Sequence, residues 1–243
     1  NDININSDSI SIKDLEDAQM RYVELIIEQI LDKQKNVLDV GCGMGGLSKI
    51  LYDKGIKVQS LTPDNNQKNH IESKYTELTV HHMKFEDFKT NEKFGTVINS
   101  ESLQYINLDT AFKSVSKILS DNGRWIITDY FRINNEGINK SGHMHKDFLD
   151  SIKRNGWKIV HKNDMTLNAL PTLKFAITFI DRFIKPLALF SNEKLKHKQG
   201  WLFYLTQELR ENLSKKSSNE LAALDPDKFI KEKQYMLYIL ERK

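Results

Sequence analysis

Cys42 is the only cysteine among 243 residues, so no disulfide can form within the chain and a reducing, cytoplasmic setting is expected. Only four prolines occur and no Gly/Ser-rich tract interrupts the sequence, which argues against linkers and for one domain over residues 1–243. No segment repeats, which excludes a solenoid. No charge-free apolar run reaches the ~18 residues of a membrane span, and the opening NDININSDSISIKDLED is polar and acidic, unlike a signal peptide. Charge of one sign is not concentrated either: 36 basic and 33 acidic residues are interspersed, leaving a net +3. That balance reads as a solvated surface, and a nucleic-acid partner is not expected. What the chain does have is a hydrophobic fraction of 39%, enough for a sizeable core.

Apolar residues recur with helical spacing over 12–31, at Leu15, Met20, Val23, Ile26, Ile27 and Ile30. Short apolar strands are predicted at 36–40, 57–61, 79–82, 96–99 and 124–128. Helices are predicted at 46–54, 65–75 and 109–119, the last stopped by Asn122-Gly123. This alternation predicts an α/β, Rossmann-like fold: a doubly wound, mostly parallel sheet with helices on both faces and ligands at the carboxyl ends of the strands. Residues 1–34 read as an N-terminal helical segment and 35–166 as the cofactor-binding core. Beyond Phe131 the rhythm changes, with a helix expected over 144–155, a strand over 157–160 and a last strand over 234–241 within a closing segment 225–243. Residues 167–224, containing LPTLKFAITFIDRFIKPLALF and WLFYLTQEL, read as a helical cap inserted before that last strand.

The stretch NVLDVGCGMGGLSKIL (36–51) has Gly41, Gly43 and Gly46 at GxGxxG spacing, which fits dinucleotides and other nucleotide-like cofactors alike. Asp39 separates these readings. A carboxylate just before the turn repels a pyrophosphate but attracts the sulfonium and ammonium of S-adenosyl-L-methionine. That cofactor's own carboxylate would meet the free N–H groups at the following helix start. The second strand ends Leu61-Thr62-Pro63, without the acidic residue that receives a NAD ribose. The expected cofactor is therefore S-adenosyl-L-methionine, leaving as S-adenosyl-L-homocysteine. The bland alternative is a tight glycine turn with no ligand.

VLDVGCGMGG resembles the first motif of the class I S-adenosylmethionine-dependent methyltransferases, and the similarity runs over roughly residues 37–157. LTPDNNQKNH resembles the matching segment of cyclopropane fatty-acid synthases and their small-molecule relatives. By that resemblance Asp39, Gly41 and Gly43 bind the cofactor, Thr62 and Gln67 line its ribose side, and Phe85 and Glu86 of KFEDF meet adenine. NSESLQYI resembles the N-x-E-S-x-x-Y stretch of isoprenoid diphosphate C-methyltransferases, whose glutamate stabilises the carbocation formed on alkene methylation and can take its proton. The resemblance thus implies Glu101 and Tyr105 as catalytic residues and Ser100 on the cofactor side. A carboxylate at the rim of an apolar pocket suits this task, because low dielectric strengthens its attraction for a cation. The other reading has Glu101 only ordering a loop or touching the cofactor's amino group.

Departures limit the resemblance. Gln104-Tyr105 stands where cyclopropane synthases carry Glu-His, which puts bicarbonate-assisted ring closure in doubt. No cluster for magnesium and a diphosphate is evident, His143/His145 read as a surface pair or a helix entry, and no metal is expected. The only cysteine lies in the glycine loop, leaving no nucleophile for 5-methylcytosine chemistry, and the Asn/Asp-Pro-Pro-aromatic signature of amino-methylating DNA enzymes is absent. Phe175, Phe179, Phe183, Leu187 and Phe190 form an aromatic stripe that reads as core, as pocket wall, or as both. Lys174, Arg182 and Lys185 beside it face solvent or an anionic acceptor. The expected function is methyl transfer to a small hydrophobic metabolite at carbon, as in natural product biosynthesis, with Asp129, His143, Phe175 and Phe179 on the substrate side. The alternatives are O- or N-methylation of a phenol, quinone or amine, with Tyr105, His143 or Asp129 near the acceptor, and a protein that binds the cofactor without turnover. The acceptor's identity, the atom methylated and the oligomeric state are not legible.

Overall fold

The computed structural model describes residues 11–136, 141–187, 190 and 225–243. Seven strands form one sheet: β1 Val37–Val40, β2 Val58–Thr62, β3 Thr79–His82, β4 Phe94–Ser100, β5 Leu119–Arg132, β6 Trp157–Asp164 and β7 Lys233–Arg242, in the order β3-β2-β1-β4-β5-β7-β6. The first five in that order pair in parallel, and β7 runs antiparallel between β5 and β6. This is the doubly wound, mostly parallel sheet that the alternation implied. β1 is buried at every position because parallel neighbours flank it on both sides and helices cover both faces, so its sequence shows no polar alternation.

The helices are α1 Ile12–Glu28, α2 Gly46–Asp53, α3 Asn65–Lys74, α4 Leu108–Ile118, α5 His145–Arg154, α6 Thr166–Phe179 and α7 Pro226–Glu232. A capping box starts α1, in which Ser11 and Asp14 satisfy each other's backbone N–H groups. One face of the sheet packs on α4 and α5 through Phe112, Val115, Phe148 and Ile152, with Trp125 and Trp157 edge-on at 5.5 Å. The other face packs on α1, α2, α3 and α7 through Ile26, Leu51, Ile71 and Phe229. Each such side chain contributes about 1.5–3 kcal/mol on burial, and the two layers hold the carboxyl ends of β1, β2 and β4 in place.

Three differences from the sequence reading have physical causes. Asn122-Gly123 does not stop a helix; α4 ends at Ile118, and Gly123 lies inside β5. A Cβ at Gly123 would stand 2.7 Å from Leu119 Cγ and 3.0 Å from the Gly95 carbonyl oxygen, so the glycine is required by close strand packing. β6 extends to Asp164 despite its polar tail, since as an edge strand it exposes that tail to solvent while its backbone pairs with β7. The closing segment is not strand alone. Asp225 accepts N–H bonds from Asp227 and Lys228, and Pro226 enters at the first turn, giving α7 before β7 begins. Of the 167–224 cap, α6 and the π-helical turn Ile180–Ile184 are described, and residues 188–189 and 191–224, including WLFYLTQEL, lie outside the described residues.

Candidate functional site

The glycine loop leaves the end of β1 between two neighbours. Val40 pairs with Leu61 on one side and with Asn99 on the other, so Thr62 and Ser100 flank Gly41 at the carboxyl edge of the sheet. The Leu61 carbonyl accepts from both Gly41 N–H at 2.8 Å and Cys42 N–H at 3.1 Å, closing the turn. Gly41, Gly43 and Gly45 all have positive φ. A Cβ on Gly41 would sit 2.4 Å from Ser102 Cβ, whereas one on Gly43 would meet nothing within 4 Å, so the space beside Gly43 is open. Gly45 caps α2 without a side chain, which leaves the first N–H groups of α2 available to an anionic ligand.

Asp39 lies beneath this loop, fully buried. Its Oδ2 accepts from Ser48 Oγ of α2 at 2.7 Å, and Ser48 in turn accepts from Ser60 Oγ of β2 at 2.8 Å. Asp39 thus fastens the first turn of α2 to the sheet. Its Oδ1 is buried with no hydrogen-bond partner, and burial pushes the carboxyl up to about 6, opposed by the Ser48 bond. Such an acceptor, short of donors and compensating charge, is the feature that a cationic ligand above the loop would satisfy electrostatically.

Thr62 at the end of β2 and Gln67 in the first turn of α3 come together, with Thr62 Oγ1 donating to Gln67 Oε1 at 2.6 Å. Asp64 caps α3 by accepting from the N–H groups of Asn66 and Gln67, which fixes the turn carrying both residues. Met83 N–H donates to the Thr62 carbonyl, bringing the 3-10 turn Phe85–Asp87 alongside; Phe85 is buried in the core and Glu86 is exposed. On the other side Asn99 donates to Ser102 Oγ at 2.9 Å and accepts from Trp125 Nε1 at 2.8 Å, and Ser102 donates to the Val40 carbonyl at 2.5 Å. These buried bonds tie the β4 end to the β1 end.

Glu101 follows Ser100 with φ of +56°, the one non-glycine residue with positive φ among the described residues. A glutamate held there costs of order 1 kcal/mol and persists only where its surroundings enforce it. The enforcing contacts come from distant segments. Glu101 N–H donates to the Thr128 carbonyl at 2.7 Å, and Tyr235 of β7 donates its hydroxyl to Glu101 Oε1 at 2.7 Å. Tyr235 stacks on Tyr130 of β5 with centroids 4.5 Å apart, and Phe229 meets Tyr130 edge-on at 5.7 Å. Tyr22 of α1 shares a 2.6 Å hydrogen bond with Ser100 Oγ and another with Thr128 Oγ1. Burial, followed by other groups that include Glu101, raises the ionisation of Tyr130 and Tyr235 well above the ordinary range, so both phenols stay protonated and remain donors. Tyr22, Tyr130 and Tyr235 were absent from the sequence-derived site; only strand pairing and helix docking bring them to Glu101.

The remaining expected residues stand elsewhere. Tyr105 ends the 3-10 turn Leu103–Tyr105 and is 79% exposed. Asp129 is buried, accepting from Gln104 N–H at 2.9 Å and Tyr130 N–H at 2.8 Å, and burial raises its carboxyl to about 7. His143 donates from Nε2 to the carbonyls of Leu103 and Ile106, pinning the same turn. Phe175 stacks on Phe179, which stacks toward Phe183 at 5.2 Å, and Phe179 is 44% exposed. No group of three or more metal-ligating side chains occurs among the described residues, and no described helix is long and apolar enough to cross a membrane.

Comparison with known proteins gives relatives of the same kind. An uncharacterized methyltransferase of Staphylococcus carnosus (strain TM300) is 26% identical over 116 residues, covering 46% of this chain and 56% of that protein. A sterol 4-C-methyltransferase, strm-1, of Caenorhabditis elegans is 28% identical over 134 residues, covering 49% of this chain and 39% of that one. The chain thus spans about half the length of the curated relatives it matches, or less. The fold is shared with a geranyl diphosphate C-methyltransferase from Streptomyces coelicolor A3(2), solved with Mg2+, geranyl diphosphate and S-adenosyl-L-homocysteine. The TM-score is 0.69 at 16% identity over 96% of this chain and 83% of that one. The family described as mycolic acid cyclopropane synthetase matches residues 10–238, nearly the whole chain. Matched over nearly its whole length, this chain belongs to that family.

Proposed function

We propose that this protein is an S-adenosyl-L-methionine-dependent methyltransferase that methylates carbon in a small hydrophobic acceptor. The residues fit the cofactor. The N–H groups at the start of α2 and the open space at Gly43 suit its carboxylate end, Asp39 supplies negative charge below its cationic centre, and Thr62 with Gln67 offers hydroxyl and amide groups to a ribose. When bound, S-adenosyl-L-methionine supplies a methyl group activated by the adjacent sulfonium. The chain's own part is to orient the acceptor, exclude water and hold negative charge where positive charge develops.

The observation that carries the choice of carbon is the Glu101 carboxylate, fixed in an unfavourable backbone conformation and held by the Tyr235 hydroxyl beside aromatic rings. A pre-positioned carboxylate, exposed at the end of β4 with the Tyr130/Tyr235 stack beside it, stabilises a carbocation and can accept its proton. An O- or N-methyltransferase has no carbocation to stabilise, since its acceptor brings its own lone pair. Calorimetry with S-adenosyl-L-methionine, S-adenosyl-L-homocysteine and NAD tests the cofactor, with the first two binding and NAD not. Turnover of alkene-bearing amphiphiles, followed as S-adenosyl-L-homocysteine release, tests the atom: Glu101→Gln should lower it by a factor of about 100 or more while cofactor affinity holds. Retained turnover in that variant would transfer the reading to O- or N-methylation, and no release with any acceptor would leave a binding protein.

A further inference from the structure

Beyond Tyr130 and Tyr235, the same face of the β5–β7 pair carries two cations. Arg132 and Lys233 are direct partners across the antiparallel ladder, so like charges stand opposite each other, an arrangement that destabilises a bare sheet. Lys233 is only 7% exposed. Its Nζ donates to Ser141 Oγ at 2.9 Å, and Arg132 Nε donates to the Gly142 carbonyl at 2.9 Å. Both acceptors are neutral. Neither cation forms an ion pair among the described residues; burial, with Arg132 adding to it, draws the Lys233 ammonium below its ordinary range against the opposing pull of Glu232 and Asp129. Each cation has one side-chain hydrogen bond, to a neutral acceptor, and no ion-pair partner among the described residues, so two such cations at a sheet end fit an anion.

Position decides which anion. Arg132 and Lys233 lie two residues along their strands from the stacked Tyr130/Tyr235 pair, about 7 Å at ordinary strand rise, and Tyr235 reaches Glu101. A carboxylate, an aromatic stack and a cation pair therefore follow one another along one face. A molecule with an apolar reacting part and an acidic end matches that order in one direction only, because Glu101 repels the acidic end.

We propose that Arg132 and Lys233 form an anion subsite that receives the carboxylate or phosphate head group of an amphiphilic acceptor and so sets which part of it reaches Glu101. The inference deepens the methyltransferase reading and rests on it. The head group would share Lys233 with Ser141 and take the Arg132 guanidinium by charge-assisted hydrogen bonds. The apolar remainder would lie along the aromatic rings toward the glycine loop.

The test uses the full chain saturated with S-adenosyl-L-homocysteine, with decyl phosphate, decanoate, decanol and decyltrimethylammonium as probes in calorimetry and thermal melts. Decyl phosphate or decanoate should bind and raise the melting temperature, with decanol and the cation at least about tenfold weaker. Binding of one acid alone assigns the head-group class. Lys233→Met and Arg132→Gln should each weaken the acid probe at least about tenfold with S-adenosyl-L-homocysteine affinity unchanged. Lys233→Met should melt no lower than the parent, because the buried charge it removes has no ion-pair partner among the described residues. If the two cations serve only to pin residues 141–142, Lys233→Met lowers the melting temperature and probe affinity does not change, which overturns the proposal; Arg132→Gln decides the matter should Lys233→Met not fold. Absence of binding by either acid also overturns it. Failure to bind S-adenosyl-L-homocysteine instead removes the methyltransferase reading, and acid binding to the free chain is read separately.

Discussion

Replacing Asp39 by Asn separates the two tasks its carboxylate performs. In the free protein the carboxyl is raised from 3.8 to about 6 by burial, which corresponds to ~3 kcal/mol between its protonated and ionised forms. Because the folded value lies above the unfolded one, the stability due to the protonated form is complete below about 3.8 and is lost as pH rises through about 6. Asn keeps an oxygen for the Ser48 hydroxyl but places an NH2 group where Oδ1 has no partner, a penalty of about 1–3 kcal/mol at every pH. The stability of Asp39→Asn relative to the parent should therefore improve by ~2.5 kcal/mol between pH 4 and pH 8, the variant being the weaker protein at pH 4. Cofactor binding moves the other way. Loss of the negative charge beneath the loop should weaken S-adenosyl-L-methionine by ~1.5–3 kcal/mol, about 10- to 150-fold. Urea unfolding at a series of pH values and calorimetry at pH 8 measure both. Parallel stability profiles together with unchanged cofactor affinity would refute the burial argument and remove Asp39 from the site.

Other perturbations report on neighbouring parts. Gly41→Ala places a Cβ 2.4 Å from Ser102 Cβ at φ of +71°, so it should cost about 2 kcal/mol or more in denaturant unfolding and abolish cofactor binding; an unaffected melt would mean that the loop is looser than described. Asp129→Asn should flatten the loss of stability that the parent shows as pH rises from about 4 to about 7, since burial raises this carboxyl in the same sense; an unaltered slope in pH-dependent melts rejects its burial as the cause. Trp125→Phe removes the donor to buried Asn99 Oδ1 and should cost about 1–3 kcal/mol, read by urea unfolding, while a neutral result would show that Asn99 finds another donor. Phe179→Ala, at a side chain 44% exposed, should cost less than ~2 kcal/mol and raise the acceptor's KM with cofactor affinity fixed; a loss of 3 kcal/mol or more places that ring in a core instead.

Local chemistry was enough for the part of the site that is contiguous in sequence. VLDVGCGMGG carries its own instructions: apolar residues for a buried strand, glycines where φ must be positive, and an acid beneath the turn. Thr62 and Gln67 are five residues apart at a strand-helix junction capped by Asp64, so their pairing too is a short-range event. Glu101 was visible as an acid at a strand end, but its strained backbone was not, since nothing in NSESLQYI requires positive φ. Where local signals competed, they misled: Asn122-Gly123 has the look of a turn that ends a helix, yet it lies within β5, at the irregularity where the register with β4 jumps from Phe94–Leu119 to Thr96–Arg124.

What the sequence determined by itself was the α/β alternation, the glycine loop and the Asp39, Thr62 and Gln67 positions around it, because each follows from residues within one turn of chain. Only the tertiary structure decided what surrounds Glu101. Tyr22, Tyr130 and Tyr235 stand 79, 29 and 134 positions away from it in sequence, and they meet because α1 docks on one sheet face while β7 inserts antiparallel beside β5. The same insertion set Arg132 opposite Lys233. Pairing of strands far apart in the chain is governed by the shape and burial of whole layers, and no local propensity encodes which two side chains it will bring face to face.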